Sequence, residues 1–398
     1  MPSKLPLLPC AILCAILGTA TRAAAPGPPA GGAAAIASGS GTAIASGGAA
    51  APRLLSATGL YAADGSIDPR NMPFSPQYPL WSDGADKTRW IHLPAGTKID
   101  ISAIDAWRFP VGTKLWKEFA WGGRKVETRM IWKTGPDAWV FATYAWSDDQ
   151  KDAVLAPEAG IPDVIAVAPG KRHSLPSVTD CKACHASSAA IVLGFTALQL
   201  SDDRDPLAPH AEPLPPGAAT LRSLLAAGRL TPQRADLALR PPRIRTSDPT
   251  ARAALGYLSA NCGGCHNRTG ALARLDLDLF HDVGGSATAP EPALATAIDT
   301  PGRYRMPGIP PAESRVVAPG APERSTLLYR MQSRRPSSQM PPLGTAVADR
   351  EAVDLVRRWI AAMPPAPATP AAIAAGRVPP GSPAPERAGD SPAAPTSR

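Results

Sequence analysis

Two copies of one pentapeptide constrain this chain more than any other feature of its sequence. Each copy has two cysteines separated by two residues and followed at once by a histidine. This arrangement is typical of covalent haem c attachment, because both thiols reach the same edge of one porphyrin and the histidine ligates the iron. The sequence therefore predicts two covalently attached haem c groups. The predicted attachment and iron-binding residues are Cys181, Cys184 and His185 in the first copy and Cys262, Cys265 and His266 in the second.

The other cysteines favour the same interpretation over a zinc site or disulfides. The chain has six cysteines, and Cys10 and Cys14 lie in an apolar N-terminal run that we expect to be cleaved off. The remaining four all belong to the pentapeptides. A zinc site made of two Cys-x-x-Cys pairs usually separates the pairs by about 15–20 residues, whereas the pairs here begin at residues 181 and 262. Zinc binding and disulfides stay as the alternatives.

The two ends of the chain differ in composition from its middle. Residues 1–24 carry Lys4 and then an apolar run too short to span a bilayer, which predicts a secretory signal peptide. We therefore expect an exported, periplasmic protein without an integral membrane span after signal removal; an uncleaved N-terminal anchor is the alternative. The Ala/Gly-rich residues 25–52 and the Pro/Ala-rich residues 364–398 are predicted to be a disordered leader and a disordered tail.

Residues 53–168 are predicted to form a β-rich domain. Eight of the nine tryptophans lie between Trp81 and Trp146. Segments such as 126–132 and 138–146 combine β-branched and aromatic residues between turn signals, and these two predict a hairpin. The region as a whole predicts an antiparallel β-sandwich-like domain. Core packing accounts for most of the tryptophans, and a sugar-stacking surface is the alternative.

Two haem-binding regions are predicted to follow the β-rich domain. The first haem c region spans 169–250, and the second cytochrome c domain spans 251–363. In the second, an amphipathic helix runs into Cys262, and Asp349 is a good N-cap for a helix that begins at the next residue. We expect these two helices to cross. The candidate residues for the crossing point are Gly256 and Trp359.

A sixth iron ligand is predicted only for the second haem. Met340 precedes two prolines in a loop downstream of His266, as expected for a distal thioether ligand, with a surface methionine in a turn as the alternative. For the first haem the sequence does not decide between several side chains. The candidates are His173, His210, Met72, Met130, Met306 and Met331.

These residues resemble one family, the exported dihaem c-type cytochromes with an N-terminal β-rich domain. The resemblance covers most of the folded chain and rests, besides the pentapeptides, on residues 78–87, 109–115, 127–129, 192–195, 261–267 and 340–344. It implies an α+β multidomain fold, in which the N-terminal antiparallel β-sandwich-like domain is followed by mainly α-helical cytochrome c-type haem domains. Many members of that family have proline soon after the second His-Asn pair, and its carbonyl often orients the histidine; this chain has Asn267 and Arg268 there, so the resemblance names no hydrogen-bond partner for His266.

The expected function is electron transfer between a dehydrogenase or respiratory donor and another redox protein. Iron with histidine and methionine ligands has no open position for a substrate, so no catalytic residues are predicted. One alternative is a dihaem peroxidase-like enzyme with an open first haem, and another is a carbohydrate- or partner-binding module that carries haems. The formal net charge of +8 suits docking on an acidic redox partner, and the absence of a Lys/Arg run argues against nucleic acid.

Overall fold

The largest regular element is an antiparallel sheet of six strands, in the order β1-β2-β4-β5-β6-β7. The computed structural model describes residues 49–365, so the predicted signal peptide and most of the predicted leader and tail lie outside the described residues. Two smaller pairs accompany the sheet, a parallel pair of β3 with β10 and an antiparallel hairpin of β8 and β9. The strands are β1 (Asn71–Pro73), β2 (Asp86–His92), β3 (Ile99–Asp100), β4 (Lys114–Trp121), β5 (Arg124–Lys133), β6 (Trp139–Trp146), β7 (Ala153–Leu155), β8 (Ile161–Ala168), β9 (Lys171–Leu175) and β10 (Leu230–Thr231).

The long central strands follow from their composition and their turns. β4 and β5 are joined by Gly122 and Gly123, whose φ angles of 56° and 77° suit the tight two-residue turn that matches the twist of a hairpin. β5 and β6 pair along most of their length, with Trp132 opposite Val140. The hairpin predicted from segments 126–132 and 138–146 is therefore confirmed.

Each face of the sheet packs against a different part of the chain. On the outer face, Trp116 and Tyr144 lie in a buried cluster with Leu55 of a short 3-10 helix. On the inner face, Leu115 and Phe141 pack against residues that follow the first pentapeptide, such as Phe195. The eight tryptophans of this region are all buried or half-buried, so they serve mainly as core residues.

Seven α-helices are present among residues 49–365. α4 begins with Asp248 as N-cap and Pro249 as its first residue, and Asp349 caps α7 through a 3.1 Å bond from the amide of Ala352. Both predicted helices are thus confirmed. The helices are α1 (Val178–His185), α2 (Leu221–Ala226), α3 (Ala235–Leu239), α4 (Pro249–Asn261), α5 (Pro292–Ala297), α6 (Thr326–Gln332) and α7 (Arg350–Ala361).

The close approach predicted at Gly256 involves a different ring. α4 and α7 do pack together in one buried cluster. However, a Cβ placed on Gly256 would lie 2.2 Å from two ring atoms of Tyr78, which are the nearest heavy atoms to it. The glycine of α4 therefore admits an aromatic residue from the N-terminal part of the chain, where we expected Trp359 of α7.

The predicted fold class is wrong in its second half. Helices make up only 21% of the described residues, and the longest, α4, has 13 residues. Between α1 and α4 there are only two helices, of six and five residues, because proline pairs at 215–216 and 241–242 interrupt the chain. The regions that the sequence predicted to bind haem are therefore mainly irregular chain. The six-stranded sheet, moreover, is covered by loops and short helices, and within residues 49–365 it does not face a second sheet of its size.

Across residues 49–365, every helix is too short or too polar to cross a lipid bilayer.

Candidate functional site

One cavity of about 660 Å³ brings all the predicted site residues together. Its wall also includes part of the inner face of the sheet and the loop that follows Met340. The volume lies within the range of small-molecule and cofactor pockets. The seven predicted residues that line it are Cys181, Cys184, His185, Cys262, Cys265, His266 and Met340.

The first pentapeptide lies in the last part of α1. Ser177 and Asp180 cap this helix reciprocally: each side chain accepts a hydrogen bond from the backbone amide of the other. The helix packs on β6, and the ring of His185 lies 5.5 Å from the ring of Phe141, between their centroids. The cap and the sheet together fix the position of the first histidine.

His185 is held in one tautomer. Its Nδ1 lies 2.6 Å from the carbonyl oxygen of Ile191, and a carbonyl only accepts, so Nδ1 carries the proton. The lone pair is then on Nε2, the usual arrangement of a metal-binding histidine. Burial, with the nearby charges of Lys117 and Arg129, lowers the pKa of His185 to about 4. The imidazole is therefore neutral at physiological pH.

The second pentapeptide follows α4 directly and its histidine lacks comparable support. Nδ1 of His266 is buried and has no hydrogen-bond partner within the described part of the chain. Burial and the charge of Arg330 lower the pKa of His266. The tautomer of the second histidine is therefore not set by a protein contact, in contrast to that of His185.

Asn267, directly after the second histidine, bonds to backbone carbonyls of both pentapeptide regions. Its Nδ2 donates to the carbonyl oxygens of Gly263 and Gly264, at 2.9 and 3.2 Å, and to that of Ser187 at 3.0 Å. The side chain thus ties the second pentapeptide to the residues that follow the first.

The two pentapeptides lie in contact. The thiols of Cys184 and Cys265 are hydrogen-bond neighbours, and this bond lowers the pKa of Cys265 to about 7. Sγ of Cys265 also lies 3.8 Å from the carbonyl oxygen of Ala183. All four cysteines of the pentapeptides are free thiols. Among residues 49–365, no group of three or more His, Cys, Asp or Glu side chains is arranged to hold a bare metal ion.

Met340 lines the cavity at the start of a loop that Asp83 anchors. The carboxylate of Asp83 accepts hydrogen bonds from the hydroxyl of Thr345 at 2.9 Å and from the amides of Ala346 and Val347 at 2.7 and 3.0 Å. Asp83 itself adopts a left-handed φ of 53°, which is uncommon for a residue other than glycine. The indole of Trp81 donates to the carbonyl of Val347 at 3.0 Å.

His173 joins Asp83 to the inner face of the sheet. Its Nδ1 lies 2.8 Å from Asp83 and its Nε2 lies 3.1 Å from Glu127, which also forms an ion pair with Arg129. Because both ring nitrogens face carboxylates, the ring is an imidazolium with two donors. Burial opposes these charges, but the hydrogen bonds and ion pairs outweigh it: they raise the pKa of His173 and lower those of Asp83 and Glu127.

Sequence reasoning missed this buried clamp of Asp83, His173 and Glu127, although it did single out residues 78–87 and 127–129. Those segments had no stated role. The structure gives them one, since they supply the two carboxylates that hold His173 and, through Asp83, the Met340 loop. The partners are far apart in sequence, so no local pattern pointed to them.

The six candidates for the sixth ligand of the first haem lie in different environments. Both ring nitrogens of His173 and of His210 lie within 3.4 Å of carboxylate oxygens, so ion pairs already engage them. Of the four methionines, Met130 and Met331 line the cavity, and Met72 and Met306 do not.

The donor set fits a covalently bound haem at each pentapeptide. Paired thiols, a neutral imidazole and a thioether are the groups that c-type haem attachment and ligation require, and the cavity lining is mainly apolar. His185 has the tautomer that iron binding needs. Cys181, Cys184 and His185 would hold one haem, and Cys262, Cys265, His266 and Met340 the other.

Comparison of this chain with known protein families, with curated proteins and with solved structures found no match.

Proposed function

We propose that this chain is an exported dihaem c-type cytochrome that passes electrons between redox proteins. The observation that carries the proposal is the shared cavity, into which both pentapeptides and Met340 converge. A pair of Cys-x-x-Cys-His sequences on unrelated surfaces would be weaker support. Convergence on one apolar cavity is what two neighbouring haems would need.

The side chains take distinct roles in this proposal. The thiols of each pentapeptide form thioether bonds, and His185 and His266 supply the proximal nitrogens. Met340 supplies the distal sulfur at the second site, in a loop whose position depends on Asp83. Haem c, when bound, supplies one-electron oxidation and reduction of its iron. The chain itself excludes water, fixes the ligands and sets the surrounding charge.

The contact between the pentapeptides supports electron transfer rather than two independent sites. Cys184 and Cys265 are hydrogen-bond neighbours, and Asn267 bridges the two segments. Groups attached at those sulfurs would have their attached edges close together. Because electron transfer slows steeply with distance, this apposition favours rapid exchange between the sites.

The proposed partners are redox proteins that meet a basic surface. The formal net charge of +8 favours encounter with an acidic donor or acceptor, and such steering weakens as salt is added. Export to the periplasm belongs to the proposal, because it rests on the apolar N-terminal run and on the need for haem c attachment outside the cytoplasm.

The proposal is tested by haem content. The full chain is exported in cells with a haem c maturation system, and haem is measured by pyridine haemochrome and by intact mass. Two covalent haems per chain are expected; one or none would refute the proposal. The ferric spectrum then separates carrier from enzyme. Low-spin iron at both sites with negligible turnover of hydrogen peroxide supports a carrier, whereas rapid peroxide reduction that is lost in His185→Ala would favour the peroxidase-like alternative.

A further inference from the structure

Three cationic side chains form a row across the inner face of the sheet. Arg89 on β2 is directly opposite Lys117 on β4, and Lys117 is directly opposite Arg129 on β5. Directly paired residues of an antiparallel sheet share a face, and all three side chains line the cavity. The sheet therefore presents a line of positive charge to an otherwise mainly apolar space.

The two outer cations of this row are paired and the central one is not. Arg89 forms a two-bond ion pair with Glu212, and Arg129 forms one with Glu127, with N–O distances of 2.5 and 3.0 Å. Nζ of Lys117 has neither an acceptor nor an ion-pair partner among residues 49–365. Nζ lies over the face of Phe119, 4.7 Å from the ring centroid.

Among residues 49–365, the three cations of this row therefore have only two anionic partners. Like charges placed directly opposite in a sheet destabilise it, and a charge out of water is costly unless it is paired. Burial, followed by repulsion from Arg89, Lys87 and Arg129, lowers the pKa of Lys117 well below its ordinary value. A carboxylate next to Lys117 would give each of the three cations its own anion, as Glu212 does for Arg89 and Glu127 for Arg129.

The row also has the right position relative to the first pentapeptide. α1 packs on β6, and β5, β4 and β2 lie successively farther from it, at about 4.8 Å per strand. Arg129 is close enough to Cys181 and Cys184 for their charges to interact, whereas Lys117 is one strand farther away. In haem the two propionate carboxylates lie on the edge opposite the vinyl groups that become thioethers. A haem attached at α1 and lying along this face would direct its carboxylates towards β4 and β2.

We propose that Lys117 binds a propionate carboxylate of the first haem, flanked by Arg89 and Arg129. This rests on the proposed function, since it requires a haem at Cys181, Cys184 and His185. Lys117 is then a cofactor-binding residue that the pentapeptide pattern does not reveal. Its charge also makes oxidation of the first iron less favourable.

The test compares Lys117→Met with the charge-retaining control Lys117→Arg in the full dihaem protein. The midpoint potential of each haem is measured by spectroelectrochemistry across the neutral pH range. The second haem is identified by its methionine-to-iron charge-transfer band. In Lys117→Met we expect both haems to remain low-spin and the potential of the first haem alone to fall. That potential should also become pH-dependent, as the unpaired carboxylate takes up a proton. Lys117→Arg should stay near the wild type.

Two results would overturn the role proposed for Lys117. An unchanged first potential in Lys117→Met would overturn the inference, and so would a high-spin first haem, which would identify the lysine amine as an iron ligand instead. If Lys117→Met loses haem or fails to fold, Lys117→Gln gives the same readouts with a polar side chain. Absence of covalent haem from the wild-type protein would refute the proposed function itself and not merely the role of Lys117.

Discussion

His185 and His266 hold the same place in the same pentapeptide, yet the chain around them differs. His185 ends a capped helix that lies on the sheet, and its Nδ1 is fixed by a backbone carbonyl. His266 follows a helix in the α4–α7 cluster, and its buried Nδ1 has no partner among residues 49–365. The proposed distal ligands differ in the opposite sense. Met340 is the proposed ligand at the second site, whereas no contact among residues 49–365 selects one of the candidate ligands for the first site.

The same pentapeptide thus places its histidine in two different surroundings, which would give two attached haems different potentials. A hydrogen bond to the outer nitrogen of a ligating histidine makes it more basic, which favours oxidised iron. A methionine ligand favours reduced iron. We therefore expect the second haem to have the higher potential and electrons to pass from the first site to the second.

The largest effect should come from removing one attachment site at a time. Cys181→Ala with Cys184→Ala should leave one haem, and Cys262→Ala with Cys265→Ala should leave the other. Haem per chain, measured by pyridine haemochrome and intact mass, should fall from two to one in each case. The two one-haem proteins should then differ in potential, and equal potentials would contradict the proposed difference between the two sites.

Removing the clamp should destabilise the fold and weaken the second site selectively. His173→Gln leaves Asp83 and Glu127 buried without their shared cation, which typically costs about 3–5 kcal/mol. Urea unfolding measures this loss, and the methionine-to-iron band should weaken because Asp83 holds the Met340 loop. Asp148→Asn is the control, since its pair with Arg124 is exposed and should contribute little to stability. Equal effects of the two variants would contradict the role of the clamp.

The clamp of Asp83, His173 and Glu127 should stabilise the fold only over a limited pH range. The pKa of His173 is raised, so its contribution to the free energy of unfolding is complete below the ordinary histidine value of about 6.5 and is lost as pH rises through the raised value. The pKa values of Asp83 and Glu127 are lowered, so their contributions are lost as pH falls through those lowered values. The stability difference between wild type and His173→Gln should shrink in alkaline solution, and a constant difference would argue against the imidazolium.

A smaller effect is expected from replacing the distal ligand of the second site. Met340→Ala should remove the methionine-to-iron band and lower that haem's potential by on the order of 0.1 V, a fraction of the about 0.8 V range that axial ligands span. Met363→Leu is the matched control, because Met363 packs against the α4–α7 cluster but does not line the cavity. If the spectrum and titration of Met340→Ala match those of the control, the ligand lies elsewhere.

The smallest effect should come from the contact between α4 and Tyr78. Gly256→Ala places a Cβ against the Tyr78 ring, and overpacking of this kind typically costs about 1–3 kcal/mol, partly offset by the better helix propensity of alanine. In the control Gly264→Ala the new Cβ meets only the end of the Leu193 side chain, at 3.3 Å. Thermal unfolding of the two variants should separate them. No difference would show that the 78–87 segment moves easily.

Local patterns revealed the parts of this protein that depend on neighbours in sequence. The pentapeptides, the α4 and α7 helices and the β5–β6 hairpin were predictable because spacing, caps and turn residues specify them within a few positions. The seven predicted site residues also lie in one cavity.

The rest depends on contacts between distant segments. Asp83 and Val347 are 264 residues apart, and the cation row exists only because the register of β2, β4 and β5 aligns three residues. The mainly helical expectation failed for a related reason. Two helices could be recognised from the sequence, and we expected the rest of the second half to be helical as well. The prolines of that half prevent long helices there.

The contact between Cys184 and Cys265 has a consequence for how the protein is made. In an oxidising compartment, two thiols held this close are prone to join in a disulfide. That single bond would take one sulfur from each pentapeptide and disable both sites at once. On the proposed function, haem attachment therefore has to come before the two segments close on one another, or a reductant has to keep the newly exported chain open until attachment is complete.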